Sequence, residues 1–185
     1  MLGSYSATMP DRQPSVPELA GELRQAHAGL LETLDALPTG TNDRGGWSSA
    51  QVLAHVAFWD RYQTARLRRA VAGESSPTEL EDQAGNAEEN DARASSEHRG
   101  YDDLLEDSTT ARATLLDFVS ALSEEQLHGQ YDEGAWPLSL VQLIHQVGIW
   151  HVRAHTASLP GGQPYSGNPR DLDREERSGP HAPPR

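Results

Sequence analysis

Ser139-Leu140-Val141-Gln142-Leu143-Ile144-His145-Gln146-Val147-Gly148-Ile149-Trp150-His151-Val152-Arg153-Ala154-His155 is the stretch that decides what kind of fold this chain adopts. It opens as a capping box. A serine at the N-cap accepts from the amide three residues on, and the glutamine there reaches back to the serine amide. Leu138 and Leu143 stand where a hydrophobic staple would close around that start. Pro160-Gly161-Gly162 ends the helix. Within it His151 and His155 are four residues apart, so they share one face, one turn apart, and two imidazoles there can grip one metal ion. His145 is six residues before His151. At roughly 100° per residue it points about 120° away, where it could support a metal ligand from behind or, more ordinarily, is a satisfied boundary residue.

Working outward, a third histidine lies in a segment of the same kind, Val52-Leu53-Ala54-His55-Val56-Ala57-Phe58-Trp59. Ser48 and Gln51 make its capping box, and Trp47 and Val52 are placed for a staple. This helix should run to about Ala72 and stop before Gly73. Facing the first stretch, it would bring three nitrogen ligands together and leave a coordination position open. That open position separates catalytic from structural metal sites.

Two more helices complete the pattern. Ser15 and Glu18 form a capping box ahead of Leu19, Leu23, Ala26, Leu30, Leu34 and Leu37, an amphipathic stripe that Pro38 and Gly40 end. A polar, acidic stretch from Glu74 to about Ala94 is either loop or helix start. Tyr101, Leu104, Leu105, Ala111, Leu115, Val119 and Leu122 then recur with helical spacing, and Ser123-Glu124-Glu125-Gln126 begins a short extra turn. No β-hairpin signal competes. Four helices with one apolar face each imply an all-α bundle over residues 15–160, between polar tails at 1–14 and 161–185.

Composition narrows the function. The chain has 185 residues, 36% hydrophobic, with 15 basic and 28 acidic residues and a formal net charge of -13. Such a surface repels phosphate backbones and anionic membranes, so nucleic acid is not an expected partner. No run is long and apolar enough for a bilayer, and no secretory signal is legible, so a soluble cytoplasmic protein is expected. Cysteine is absent, which removes disulfides, thiolate catalysis and cysteine-based zinc sites.

A single histidine on an apolar helix face is ordinarily a packed core residue. Burying two side by side without a shared partner is costly, and a third in another apolar helix favours metal binding by His55, His151 and His155. His27 falls between core positions of the first helix and could reach the bundle interior, though a boundary place is the more ordinary reading. His98 and His128 sit among polar residues and read as solvated, and His181 belongs to the tail. Tyr62, seven residues after His55 on the same face, can donate a hydrogen bond to a substrate oxygen. Asp60 can orient a histidine or act as a base. A boundary residue and a solvated charge are the more ordinary readings of these two. Trp59 and Trp150 read as core or pocket wall. Asn90 can reach a pocket if the acidic stretch folds back.

Trp47-Ser48 leading into Val52-Leu53-Ala54-His55-Val56, a middle segment with Asn90, Leu122-Ser123-Glu124-Glu125-Gln126-Leu127, and His151-x-x-x-His155 resemble, in order and spacing, the DinB/YfiT-like superfamily, over about Val16 to Leu159. The resemblance implies a four-helix bundle arranged up-down-down-up, commonly dimeric. It also implies a divalent metal, zinc or nickel most often and iron in related domains, held at positions matching His55, His151 and His155. Those iron domains usually carry an acidic residue two positions after the last histidine, where this chain has Ala157. Relatives include thiol S-transferases using mycothiol or bacillithiol, a mycothiol-dependent isomerase, metal-dependent hydrolases, and DfsB-like self-protection enzymes that open strained rings. The implied function is thus thiol S-transfer or hydrolysis of a small electrophilic molecule. Three neutral imidazoles would hold the ion, which lowers the pKa of a bound water to about 7 in favourable zinc sites. No acidic residue sits beside the histidine pair as general base, and this favours thiol transfer. A metal-free hydrolase of a natural-product pathway and a non-enzymatic ligand-binding or stress-response bundle are the competing expectations.

Overall fold

The computed structural model describes residues 13–38, 41–42, 46–74, 98–131 and 138–162. The acidic stretch 75–94 with Asn90, the Trp136-Pro137 pair, His181 and nearly all of both tails lie outside the described residues.

Helix α1 (Val16–Asp35) starts where the Ser15 amide donates to Glu18 Oε2 at 2.8 Å. Helix α2 (Ser49–Val71) starts at Ser48, whose hydroxyl accepts from the Gln51 amide and whose own amide donates to Gln51 Oε1. It ends where Gly73 takes a positive φ of 73°, a conformation glycine reaches without steric cost. Helix α3 (Tyr101–Ser120) is followed by the short α4 (Glu124–His128), capped by a Ser123–Gln126 box. Then come β1 (Gln130–Tyr131) and β2 (Leu138–Ser139), an antiparallel pair of two residues each. The sequence carries no hairpin signal here because so short a pair needs neither alternation nor a long apolar run. The last helix has three parts, α5 (Leu140–Leu143), a π-helical segment (Ile144–Trp150) and α6 (His151–Ser158).

These helices bury one common core. Leu19, Leu23, Ala26, Leu30 and Leu34 of α1 are all buried, with Val52, Leu53 and Leu67 of α2, Leu104, Leu115 and Val119 of α3, and Ile144, Ile149 and Val152 of the last helix. Helix α2 lies along α3, and α1 packs on α3 and on the last helix. Tyr101, expected in the α3 stripe, is 39% exposed, at the first residue of α3. No helix among the described residues is long and apolar enough to cross a membrane.

Gly148 sets how closely the last helix approaches α1. A Cβ built there would stand 2.6 Å from Leu23 Cδ2, and Leu23 is fully buried. Overpacking of this kind costs about 1–3 kcal/mol, while replacing a helical glycine by alanine returns about 1 kcal/mol. Gly148→Ala should therefore lower stability by a net ~1 kcal/mol in denaturant unfolding. A double-variant cycle with Leu23→Ala should be non-additive, and additivity would remove the clash as the cause.

Candidate metal centre

The three histidines converge. His55 Nε2 lies 2.7 Å from His151 Nε2, which lies 2.9 Å from His155 Nε2. The ring centroids are 4.5–4.7 Å apart. His55 of α2 is buried, while His151 and His155 of α6 are half-buried. The chemistry of this donor set fits a cation. Each Nε2 carries either one proton or one lone pair, so His151 Nε2 cannot make a full hydrogen bond with both neighbours. One ion can accept all three lone pairs. Zinc ligands at about 2.0–2.1 Å in tetrahedral array stand about 3.3 Å apart, so the trio needs only a slight outward relaxation. Among the described residues these three form the one group of histidine and carboxylate side chains able to hold an ion, and no carboxylate joins it.

Indole rings wall the trio. The Trp47 ring meets His55 edge-on at 4.8 Å and lies 6.4 Å from His155. Trp59 stands 6.4 Å from His55 and 6.1 Å from His151. The position of Trp47 follows from the capping box, since the residue before an N-cap folds back onto the first turns of its helix. Tyr62 packs on Trp59 at 5.4 Å and stacks with Phe58 at 6.4 Å. It therefore belongs to the aromatic wall, two helical turns beyond His55 and one beyond Trp59.

The sequence profile of the DinB superfamily matches residues 22–159. The chain belongs to the DinB superfamily. Among solved structures, a mycothiol-dependent maleylpyruvate isomerase superposes with a TM-score of 0.63 at 16% identity, over 86% of this chain and 66% of the isomerase. This chain thus spans just under two thirds of that enzyme's length. A structural-genomics protein from Streptococcus pneumoniae superposes with a TM-score of 0.56 at 16% identity, over 76% of this chain and 85% of that one. At such identity the likeness is one of fold. No curated protein matches in sequence.

Other expectations for this DinB-superfamily chain are corrected by burial. Asp60 is not a solvated charge. It is 1% exposed, with Oδ2 lying 2.9 Å from Nε of Arg112, itself 2% exposed. The contact is a close ion pair rather than an aligned hydrogen bond. Burial pushes the Asp60 carboxyl up to about 6 against the opposing pull of Arg112. His27 does reach the interior. Its Nε2 meets Ser108 Oγ at 3.2 Å, and burial, then the charge of Arg112, lower its pKa to about 4. The reason is geometric. Helix α3 presents Ser108 and Arg112 along its buried stripe and so offers polar partners inside. His145 stays out of the trio, as expected, and lies against Trp150 at 5.4 Å. His98 is exposed, and His128 is half-buried beside Glu124 at 3.5 Å.

Arg112 escapes a search for apolar spacing alone, yet a signal exists. Arg112 continues the register of Leu104, Ser108, Leu115 and Val119, and Asp60 that of Val56, Gln63 and Leu67. Opposite charges in two apolar stripes mark a buried pair.

The two buried groups have opposite pH signatures. His27 has a folded pKa below its unfolded value of 6.5, so its contribution is present above 6.5 and lost as pH falls through 4. Asp60 has a folded pKa above its unfolded value of 3.8, so its contribution is present below 3.8 and lost as pH rises through 6. Between pH 4 and 6 the two slopes oppose. His27→Gln, which keeps a partner for Ser108, should gain roughly 3 kcal/mol relative to wild type on going from pH 6.5 to 4. Equal pH dependence of the two proteins in denaturant titrations would contradict a neutral buried His27.

Proposed function

We propose that this DinB-superfamily chain is a metal-dependent enzyme that transfers a low-molecular-weight thiol to a small electrophilic molecule at His55, His151 and His155. The observation that carries this reading is the convergence of the three Nε2 atoms, with 2.7 and 2.9 Å separations, between two indole walls. Zinc or nickel suits an all-imidazole set, with iron a further option. A divalent ion held there would supply Lewis acidity and lower the pKa of a thiol or water ligand. His55 anchors the site in the core, and the half-buried His151 and His155 leave a side open to small molecules. Trp47 and Trp59 exclude water around the reacting atoms, and Tyr62 donates a hydrogen bond to an oxygen that gains negative charge.

Thiol transfer is preferred over hydrolysis because of the missing base. Among the described residues no carboxylate joins the trio, and Asp60 is committed to Arg112. Water attack needs a group to take its proton. A thiol gives up its proton to solvent far more easily, the sulfur bonds the electrophilic carbon, and the leaving group departs with the bonding pair.

Elemental analysis of untagged protein should find about one equivalent of zinc or nickel per chain. The loaded protein should then consume a low-molecular-weight thiol with a reactive electrophile, mycothiol or bacillithiol being the first to try, and lose that activity on chelation. Turnover with water alone would move the reading to hydrolysis. No metal after reconstitution with zinc and nickel would make the histidines packing or acid–base residues, and activity surviving chelation would favour a metal-free enzyme. The expected homodimer is read by sedimentation of the same samples.

A further inference from the structure

One guanidinium joins the two helices that carry all three histidines. Arg112 of α3 is the largest fully buried side chain of the described residues. Its Nε pairs with Asp60 of α2 at 2.9 Å, five residues beyond His55. Its Nη1 donates to the Gly148 carbonyl at 2.7 Å, three residues before His151. None of these atoms belongs to the group of histidine nitrogens.

The carbonyl that Arg112 holds lies in the π-helical segment Ile144–Trp150. The His151 amide, which follows that segment, bonds to Gln146 O, five residues back rather than four. An i→i+5 closure inserts one residue into the helical ladder, so everything downstream is turned by roughly 100° relative to a continuous α-helix. The π segment thus decides which face α6 presents to α2. π-helical turns are rare and occur mostly as bulges inside α-helices, frequently at functional sites, and this one has a partner outside its own ladder, the Arg112 guanidinium on the Gly148 carbonyl. Gly148 lets the same segment lie close to α1, since it has no side chain to meet Leu23.

We propose that Arg112 is a positioning residue: by clamping the π-segment carbonyl of Gly148 to Asp60 of α2, it sets the register at which His151 and His155 face His55. The proposal rests on the reading of the trio as a metal centre. The test therefore includes a measurement that needs no metal. Two variants remove the brace in different ways. Arg112→Lys keeps the charge but loses the fork that reaches two partners at once. Asp60→Leu with Arg112→Met removes both charges and leaves none stranded. Each is checked for native helicity by circular dichroism. Zinc affinity is then measured by competition with a chromophoric chelator, cobalt(II) is added for its visible ligand-field spectrum, and the ring nitrogens of the metal-free histidines are recorded by long-range 15N NMR.

Helical variants should bind zinc about 10–100-fold more weakly than wild type, as for lost orienting partners of metal ligands. The cobalt band should shift or weaken, and the ring-nitrogen signature of the His55–His151 contact should disappear. A folded double variant with wild-type zinc affinity, cobalt spectrum and ring-nitrogen shifts would overturn the proposal and leave Arg112 a packing residue. Wild type that binds neither metal would end the metal reading. The ring-nitrogen comparison would then decide by itself whether Arg112 sets the histidine register.

Discussion

His151→Ala is expected to empty the metal centre, lowering zinc or nickel content from about one equivalent to near zero and affinity by more than about 100-fold. His151 is the node of the trio, in contact with His55 at 2.7 Å and with His155 at 2.9 Å. Removing it leaves two imidazoles on separate helices, one fewer than the three protein ligands an open zinc site uses. Loss of a partner that merely orients a ligand already costs about 10–100-fold, so loss of a ligand must exceed that. The side chain is half-buried, so the fold should survive. Metal-free protein should melt near wild type, or slightly higher once the crowded nitrogens separate. Added zinc should raise the wild-type melting temperature, by about 2.7 kcal/mol of stabilisation at 100 times Kd, and leave the variant unmoved. His145→Ala is the control, since His145 lies against Trp150 and outside the trio. Retention of a full equivalent of metal by His151→Ala, or its loss by His145→Ala, would sink the assignment.

Much of this site was legible because it depends on local rules. Capping boxes at Ser48 and Ser139 name helix starts, and each is made as the spacing implies. His151 and His155 share a face because four residues make about one turn. What spacing could not show is where the helix departs from 3.6 residues per turn. A wheel drawn through Ile144–Trp150 assumes an α ladder, but that segment is π-helical, so the angle between His145 and His151 follows from its geometry instead. Nothing in the identities of Val147 or Ile149 announces the extra residue. The group that holds the segment's Gly148 carbonyl sits on α3, in Arg112. The same holds for Asp60 and His27. Each reads as boundary or surface on its own helix, and is buried because another helix supplies a partner. Position on a helix is local information, whereas a polar partner in the core is tertiary. The trio belongs to the first kind, with one long-range step that apolar stripes supply. The brace behind it belongs to the second.

Breaking that brace from one side should cost as much stability as the largest core truncations. Asp60→Ala strands the Arg112 guanidinium, 2% exposed, with the Gly148 carbonyl as its one hydrogen-bond acceptor among the described residues. Removing one partner of a buried ion pair costs about 3–5 kcal/mol, because the other charge stays desolvated and uncompensated. Domains of this size carry about 5–15 kcal/mol in total, so Asp60→Ala should be marginal at 25 °C. Arg112→Met should cost less. A lone Asp60 can take up a proton, and burial already holds its carboxyl at about 6. Without Arg112 nothing comparable opposes burial, so the carboxyl rises above 6, and the loss in Arg112→Met should be smallest below pH 6 and grow as pH rises above it, whereas guanidinium has no such escape and Asp60→Ala should stay destabilised at every pH. The Asp60→Leu, Arg112→Met double variant leaves no charge and should recover most or all of the loss, since buried pairs often exchange for apolar residues without penalty. Denaturant unfolding of the four proteins closes the cycle. Equal losses in both single variants, or a double variant no better than Asp60→Ala, would show that Asp60 and Arg112 are not each other's compensation. A recovered fold that still binds zinc poorly would separate two jobs of the pair. Its charges balance each other at little net gain in stability, and its geometry is what the histidines need.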